Sequence, residues 1–476
     1  MIMRKILASV VLALLTLPLM AEDDPWKRAD EIVAQMSKTS FPELTVSISD
    51  FGAVAGTPDR LAHDAINLAI LHVNQLGGGT VIVPDSTYYT GPITLKSNVR
   101  LHLLEGAVLK FSTDMSLYFP PVLTRWEGVD CYNTRPLIYA YGESNIAITG
   151  HGQLDAQGAE DAWWWMQREI ERSQHPLNPD DPASPQLAAS RLRLLEMGEQ
   201  CLPVHHRIFS GRTALRPQFV NFFRCTTVLL EDVTLLNSPF WVIHPLFCND
   251  MIVRRVTVIN HGPNGDGCDP ESCRNVLIED CTFNTGDDCI AIKSGRNEDG
   301  RRWATPSENI VVRGCQMVDG HGGVVVGSEI SGGFRNLFVE NCRMSSPNLD
   351  RVIRIKTSTA RGGVIENIFV RNVEVGECRE AVLRINLDYE PNEEAKRGFI
   401  PEVRNVMLEN VTCGKSEYGV WMLGLEDATN INDIVLRGCT FDGVTNKEMN
   451  YISGKVGAVT FDGVKINGKA FKLRGL

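Results

Sequence analysis

Four short segments of this 476-residue chain concentrate the side chains that could move protons or hold anions. They are Asn264-Gly265-Asp266-Gly267-Cys268-Asp269, Gly286-Asp287-Asp288, Gly320-His321-Gly322 and Arg354-Ile355-Lys356. Crowded carboxylates repel one another, so at least one of three neighbouring Asp keeps its proton to higher pH than a free Asp and suits a general acid. The others stay ionised and can polarise water, and such an acid and base cleave glycosidic bonds without a metal. Arg354 and Lys356, paired beside acids on an acidic protein, suit capture of a substrate carboxylate. Other readings stay open. Gly-Asp-Asp alone is an ordinary polar turn, His321 between glycines is as compatible with a turn as with catalysis, and Arg354 and Lys356 could be solvated strand ends. Asp266, Asp269, Glu271, Asp287 and Asp288 could ligate calcium, although Lys293, Arg354 and Lys356 would compete with the cation.

What brings these segments together is a repeat. Its unit is Asn, Asp or Thr, then three mostly apolar residues, then a polar pair or a polar residue with Gly, then Val or Cys. Copies begin at Thr227, Asp250, Asn275, Asn309, Asn336, Asn367, Asn405 and Asp433, with weaker relatives at Asn98 and Asn145. The segments are short, β-branched and bounded by turn residues, with no helical period between them. One such coil cannot bury its own apolar side, whereas parallel stacking at about 4.8 Å per coil buries a continuous interior. The expected fold is an all-β parallel β-helix solenoid. Asp287 and His321 each lie twelve residues after their anchors, Asn275 and Asn309, which predicts that they meet on adjacent coils. Adjacent Asp287 and Asp288 would face opposite ways on a regular strand, so the chain must bend there.

Trp26, Ala29, Ile32, Val33 and Met36 follow helical spacing, and a second helix is expected from Asp64 to about Asn74; both are expected to cap the open N-terminal end of the solenoid. The pattern lapses between about Ala156 and Arg216, an insertion that includes Trp163-Trp164-Trp165, either sugar-stacking residues or part of the insertion's core. Met1–Ala21 has the layout of a secretory signal peptide, so the protein is expected to be secreted or periplasmic, residues 22–476 forming one catalytic domain with a helical cap over about 22–76. Hydrophobic residues make up 43% of the chain and charged ones 22%, enough for a large core, and the net charge of −11 argues against nucleic acid or an anionic membrane as partner. Of the thirteen cysteines, Cys281, Cys315, Cys342 and Cys439 fall where other copies place Val and read as core thiols, while Cys268 and Cys273 are the disulfide candidates.

In order and spacing, Asn264-Gly265-Asp266, Gly286-Asp287-Asp288, Gly320-His321-Gly322 with Gly327-Ser328, and Arg354-Ile355-Lys356 resemble the signatures of the polygalacturonases, glycoside hydrolase family 28. Asp388-Tyr389-Glu390 resembles a further segment of that family. The resemblance implies a right-handed parallel β-helix that needs no metal or other cofactor. It implies Asp287 as the acid that protonates the departing oxygen, and Asp266 and Asp288 as activators of water for an inverting displacement. His321 would tune the acid, Arg354 and Lys356 would bind galacturonate carboxylates, and Tyr389 and Asn264 would line the substrate site. Gly265 stands where relatives carry Thr, and Arg351-Val352-Ile353 where many carry a Gly.

Asn237-Ser238-Pro239-Phe240-Trp241, Gly267 to Cys273 and Arg361-Gly362-Gly363 look more like the bacterial exo-acting branch. The insertion after Ala156 could wall off one end of the groove. The expected substrate is therefore a pectic polysaccharide or oligogalacturonide cut from an end. The rivals are hydrolysis of rhamnogalacturonan or xylogalacturonan, a calcium-dependent pectate lyase, and a non-catalytic carbohydrate-binding solenoid.

Overall fold

The computed structural model describes residues 24–167 and 186–471, so the expected signal peptide Met1–Ala21 and part of the insertion lie outside the described residues. The repeat has a backbone cause. All eight anchors, from Thr227 to Asp433, hold left-handed φ values of +54° to +65°. The fifth residue after each anchor is left-handed as well, as at Asp280, Gly314 and Asn341. Left-handed backbone costs most residues about 1–2 kcal/mol but is tolerated by Asn, Asp and Gly, which explains their recurrence at both positions. The anchors also bond to one another across coils: Asn309 Nδ2 donates to Asn275 Oδ1 at 2.9 Å, and Asn336 Nδ2 to Asn309 Oδ1 at 2.9 Å.

Stacking in this register produces a parallel β-helix. Among the described residues, two thirteen-stranded sheets form two faces, parallel except where Lys469–Ala470 closes the second. The third face is a four-stranded sheet ending at Ile243–Leu246 and a six-stranded one starting at Ile290–Ile292. Residues 266–272 join these two halves through isolated bridges, Ile243 to Cys268 and Cys268 to Ile290, rather than as a strand. Inside run the stacked core residues, with Val276, Ile310, Leu337 and Ile368 in register and fully buried.

The cysteines belong to this interior. All thirteen are free, and Cys281, Cys315, Cys342 and Cys439 are buried in the core. Cys268 and Cys273 are not a disulfide. Both are buried thiols in the same core, and Cys273 Sγ donates to Pro245 O at 3.2 Å, so the stack of coils already fixes the segment between them.

The two N-terminal helices differ from the expectation in one respect. His63–Gln75 packs Ile66, Ala69, Ile70 and Val73 into the core at the first coils. Pro25–Gln35 instead lies along the flank of the first sheet, with Trp26 and Ala29 against Ile252, Leu277, Val311 and Phe338. That outward row is apolar over several coils and needs its own cover. A feature absent from the repeat pattern is an antiparallel hairpin, Val122–Trp126 with Val129–Asn133, turning at left-handed Glu127 and Gly128. Buried ion pairs fix it: Arg125 to Asp130 at 2.7 Å and to Glu271 at 3.0 Å.

Candidate active site

Asp287 and His321 meet as their common offset predicts, with His321 Nδ1 at 3.4 Å from Asp287 Oδ1. The bend required for both Asp287 and Asp288 exists: strand Thr282–Thr285 ends before them, Ile290–Ile292 begins after them, and the adjoining ladder shifts register between Phe283 and Asn284. Asp288 N donates to Asp287 Oδ1 at 2.9 Å, which fixes the two carboxyls relative to each other. Asp266, from the irregular segment on the same face, completes a cluster in which one oxygen from each of the three acids lies within 4.8 Å of the others.

Two glycines leave the room this cluster needs. A Cβ on Gly322 would stand 2.7 Å from Asp288 Oδ1. A Cβ on Gly265 would stand 2.6 Å from Gly262 O, so the chain turns too tightly here for a β-branched residue such as Thr.

The three carboxyls differ electrostatically. Asp288 is fully buried, and against that burial Lys356 Nζ at 2.8 Å and Arg354 Nη1 at 3.5 Å hold it well below the usual carboxylate range. Burial, reinforced by the Asp287 charge, pushes Asp266 up to about 8, with Lys293 at 3.7 Å opposing. Burial, more than crowding, thus favours a proton on Asp266, while Asp287 keeps part of its side chain in solvent. Hydrogen bonding to Asp287 raises the His321 pKa above its ordinary value, against partial burial.

Further residues belong to the site that sequence reasoning missed or gave another role. Asp269, considered only as a calcium ligand, is fully buried; burial and adjacent Asp266 drive its pKa far up, which favours its neutral form. Lys293, considered only as a competing cation, lies 3.5 Å from Asp269 and 3.3 Å from Glu329, over the Trp241 ring at 4.3 Å. Glu329 follows Gly327-Ser328 directly, but only the fold reveals its contact with Lys293. Glu271 lies apart from the cluster, paired with Arg125 and with His244 at 2.9 Å. The cations that compensate the site's negative charge are therefore built in, which disfavours calcium there.

Around the cluster, a pocket of about 240 Å³ is lined by Asn264, Asp266, Asp287, His321, Arg354, Lys356 and Tyr389. Arg216 Nη2 donates to Asn264 Oδ1 at 2.6 Å, and the Tyr389 ring faces both Arg354 (5.5 Å) and Lys356 (5.4 Å). All the predicted site residues therefore border one pocket or, for Asp288, lie beneath it. Its wall comes from the hairpin tip and the insertion. Arg191, on the helix Gln186–Glu199, pairs with Glu127 at 2.7 Å, and both line the pocket with Arg296 and Glu390. Trp163 and Trp164 are structural: Trp163 is buried with Nε1 bonded to Ala156 O at 3.0 Å, and Trp164 Nε1 donates to Ser238 O at 2.8 Å.

Residues 208–468 match the family model described as glycosyl hydrolases family 28. A crystal structure of an exopolygalacturonase from Thermotoga maritima is 38% identical, with a TM-score of 0.86 over 94% of this chain and 97% of that one. A probable polygalacturonase of Vitis vinifera is 29% identical over 71% of this chain, the match spanning 62% of the Vitis protein. An exo-poly-alpha-D-galacturonosidase of Dickeya chrysanthemi is 24% identical over 91% of this chain and 77% of that protein. With the carboxylate cluster, the cation pair and the coil in place, these matches show that the chain belongs to glycoside hydrolase family 28.

Proposed function

We propose that this protein is an exo-acting polygalacturonase that hydrolyses α-linked galacturonic acid at the end of pectic chains with inversion of configuration. The observation that carries the reading is an ionised, buried Asp288 clamped by Lys356 and Arg354 beside Asp266 and Asp287, in a pocket walled by Glu127 and Arg191. Lys356 and Arg354 keep donors free beyond those on Asp288 and can take a uronate carboxylate. Asp287, the most exposed of the three acids, reaches the leaving oxygen as general acid.

The oxygens of the cluster lie within 4.8 Å, tighter than the roughly 6.5–9.5 Å between carboxyls in many inverting enzymes. A single displacement here needs a water held jointly by Asp266 and Asp288 rather than one standing in a wide gap. Asp288 is locked in ion pairs and Asp266 is buried, so neither is free to act as a nucleophile, which favours water. The Asp287 charge helps raise Asp266. A proton on Asp287 removes that push and eases ionisation of Asp266, so protonating the acid helps arm the base.

The leader-like Met1–Ala21 fits a secreted or periplasmic enzyme acting on a polymer outside the cell. The test is incubation with defined galacturonan and rhamnogalacturonan oligomers in the presence of chelator, with identification of the first products. Free galacturonate from galacturonan supports the reading. Internal fragments contradict the terminal mode, cleavage confined to rhamnogalacturonan contradicts the substrate, and an unsaturated, chelator-sensitive product points to a lyase.

A further inference from the structure

The outward face of the third sheet continues past the catalytic cations in strict register. Arg354 pairs with Arg384 on the next coil, Arg384 with Trp421, and Trp421 with Tyr451. At about 4.8 Å per coil this row extends the site by three rungs, roughly 14 Å, toward the C-terminal end. Arg384 is only 8% exposed, yet among the described residues it has no hydrogen bond and no ion pair, and its Nη1 is buried without a partner. Glu380, the acid whose charge acts on Arg384, has both oxygens committed to Arg351 at 2.8 and 2.5 Å. Among the described residues the guanidinium stacks on the Trp421 ring at 3.9 Å. Burial, with Arg351 and Arg354 adding to it and Glu380 opposing, draws the Arg384 pKa down to about 10. A buried cation without an anion is costly, and a ligand carboxylate would supply what the protein omits. Beyond it, the Trp421 ring lies 5.2 Å from Tyr418 and 5.8 Å from Tyr451, and Tyr451 is 42% exposed.

We propose that Arg384, with Trp421, Tyr418 and Tyr451, forms an extended binding track for the acidic polysaccharide whose terminal unit occupies the walled pocket. Arg384 takes a uronate carboxylate and the aromatic rings pack on the sugar faces. The proposal rests on the galacturonan reading given above and adds the surface that would make the enzyme favour long chains.

The test compares kcat/KM on hexagalacturonate and digalacturonate for the wild type, Arg384→Met and Tyr451→Ala. Tyr141→Ala serves as control, since Tyr141 is equally exposed (44%) on the third face but among the early coils. A dimer spans about two rungs, so it can touch Arg384 but not Tyr451, three rungs beyond Arg354. The kcat/KM on the hexamer is expected to fall about tenfold in each track variant, the scale of one lost charged contact or ring, with the hexamer-to-dimer ratio falling likewise in Tyr451→Ala, and both are expected to stay put in the control. An unchanged hexamer kcat/KM in folded Arg384→Met overturns the track, as does an unchanged ratio in Tyr451→Ala. If Arg384→Met fails to fold, the surface variant Tyr451→Ala decides alone. A wild type that cleaves neither oligomer overturns the galacturonan reading, and the track falls with it.

Discussion

Replacing Lys356 with Met removes the nearer of the two cations that keep Asp288 ionised. The Lys356 ammonium stands 2.8 Å from Asp288 Oδ2 and the Arg354 guanidinium 3.5 Å from Oδ1, around a carboxylate with no solvent exposure. Breaking a buried pair costs roughly 3–5 kcal/mol, and because Arg354 remains, the lower end, about 3 kcal/mol, applies. At 1.36 kcal/mol per unit this raises the Asp288 pKa by about 2 units. In the wild type that pKa lies below its unfolded value, so the stabilisation is present above the unfolded pKa of about 3.9 and is lost as pH falls through the depressed folded value. In Lys356→Met the carboxyl protonates at higher pH. The acidic limb of kcat/KM therefore moves up, because losing Lys356 raises Asp266 as well as Asp288, and the stability deficit, about 3 kcal/mol at neutral pH, narrows once Asp288 takes up its proton. Reducing-end release across the acidic range and urea unfolding at matched pH read both effects. In the proposed reading Lys356 also holds substrate, so KM is expected to rise, but the position of the limb is independent of its height. A limb that stays where the wild type has it would refute the role of Lys356 in keeping the water-activating carboxylates ionised.

Asp287→Asn should lower kcat by about 10²–10⁴-fold, the usual contribution of a general acid, with unfolding unchanged; activity near wild type would remove the assigned role. By NMR titration, the His321 ring should titrate above the ordinary histidine value in the wild type and fall back in Asp287→Asn, because hydrogen bonding to Asp287 is the main cause of the shift. Asn309→Gly should cost about 1 kcal/mol through lost ladder bonds, and Asn309→Ala a further 1–2 kcal/mol for its left-handed backbone, read by denaturant unfolding; equal costs would contradict the backbone explanation of the repeat. Chelator should leave kcat unchanged, since Lys293 and Lys356 already balance the acids; a loss restored by calcium would contradict the metal-free mechanism.

Much of this arrangement was legible in the chain because a solenoid turns sequence offset into position. Asn and Asp at the anchors mark left-handed turns, the apolar residues between them mark the core, and equal offsets from Asn275 and Asn309 place Asp287 against His321. Contacts that arise where coils depart from the repeat were not legible. Asp269, Lys293 and Glu329 meet only because residues 266–272 cross the third face irregularly. The hairpin carrying Glu127 lies off the repeat, and its turn, Glu-Gly, is a weak local signal. The flank position of Pro25–Gln35 depends on the outward row of Ile252, Leu277, Val311 and Phe338, whose strands were visible but whose exposed side had no assigned cover. The insertion was visible as a lapse of the repeat, but its Arg191 could be tied to Glu127 only in three dimensions.

The most direct test of the central claim is proton NMR of the first product released from hexagalacturonate, recorded before the anomers equilibrate. Water held by Asp266 and Asp288 predicts monomeric galacturonate appearing first as the β-anomer. The α-anomer would mean a covalent intermediate on a carboxylate, and would contradict the account of the cluster.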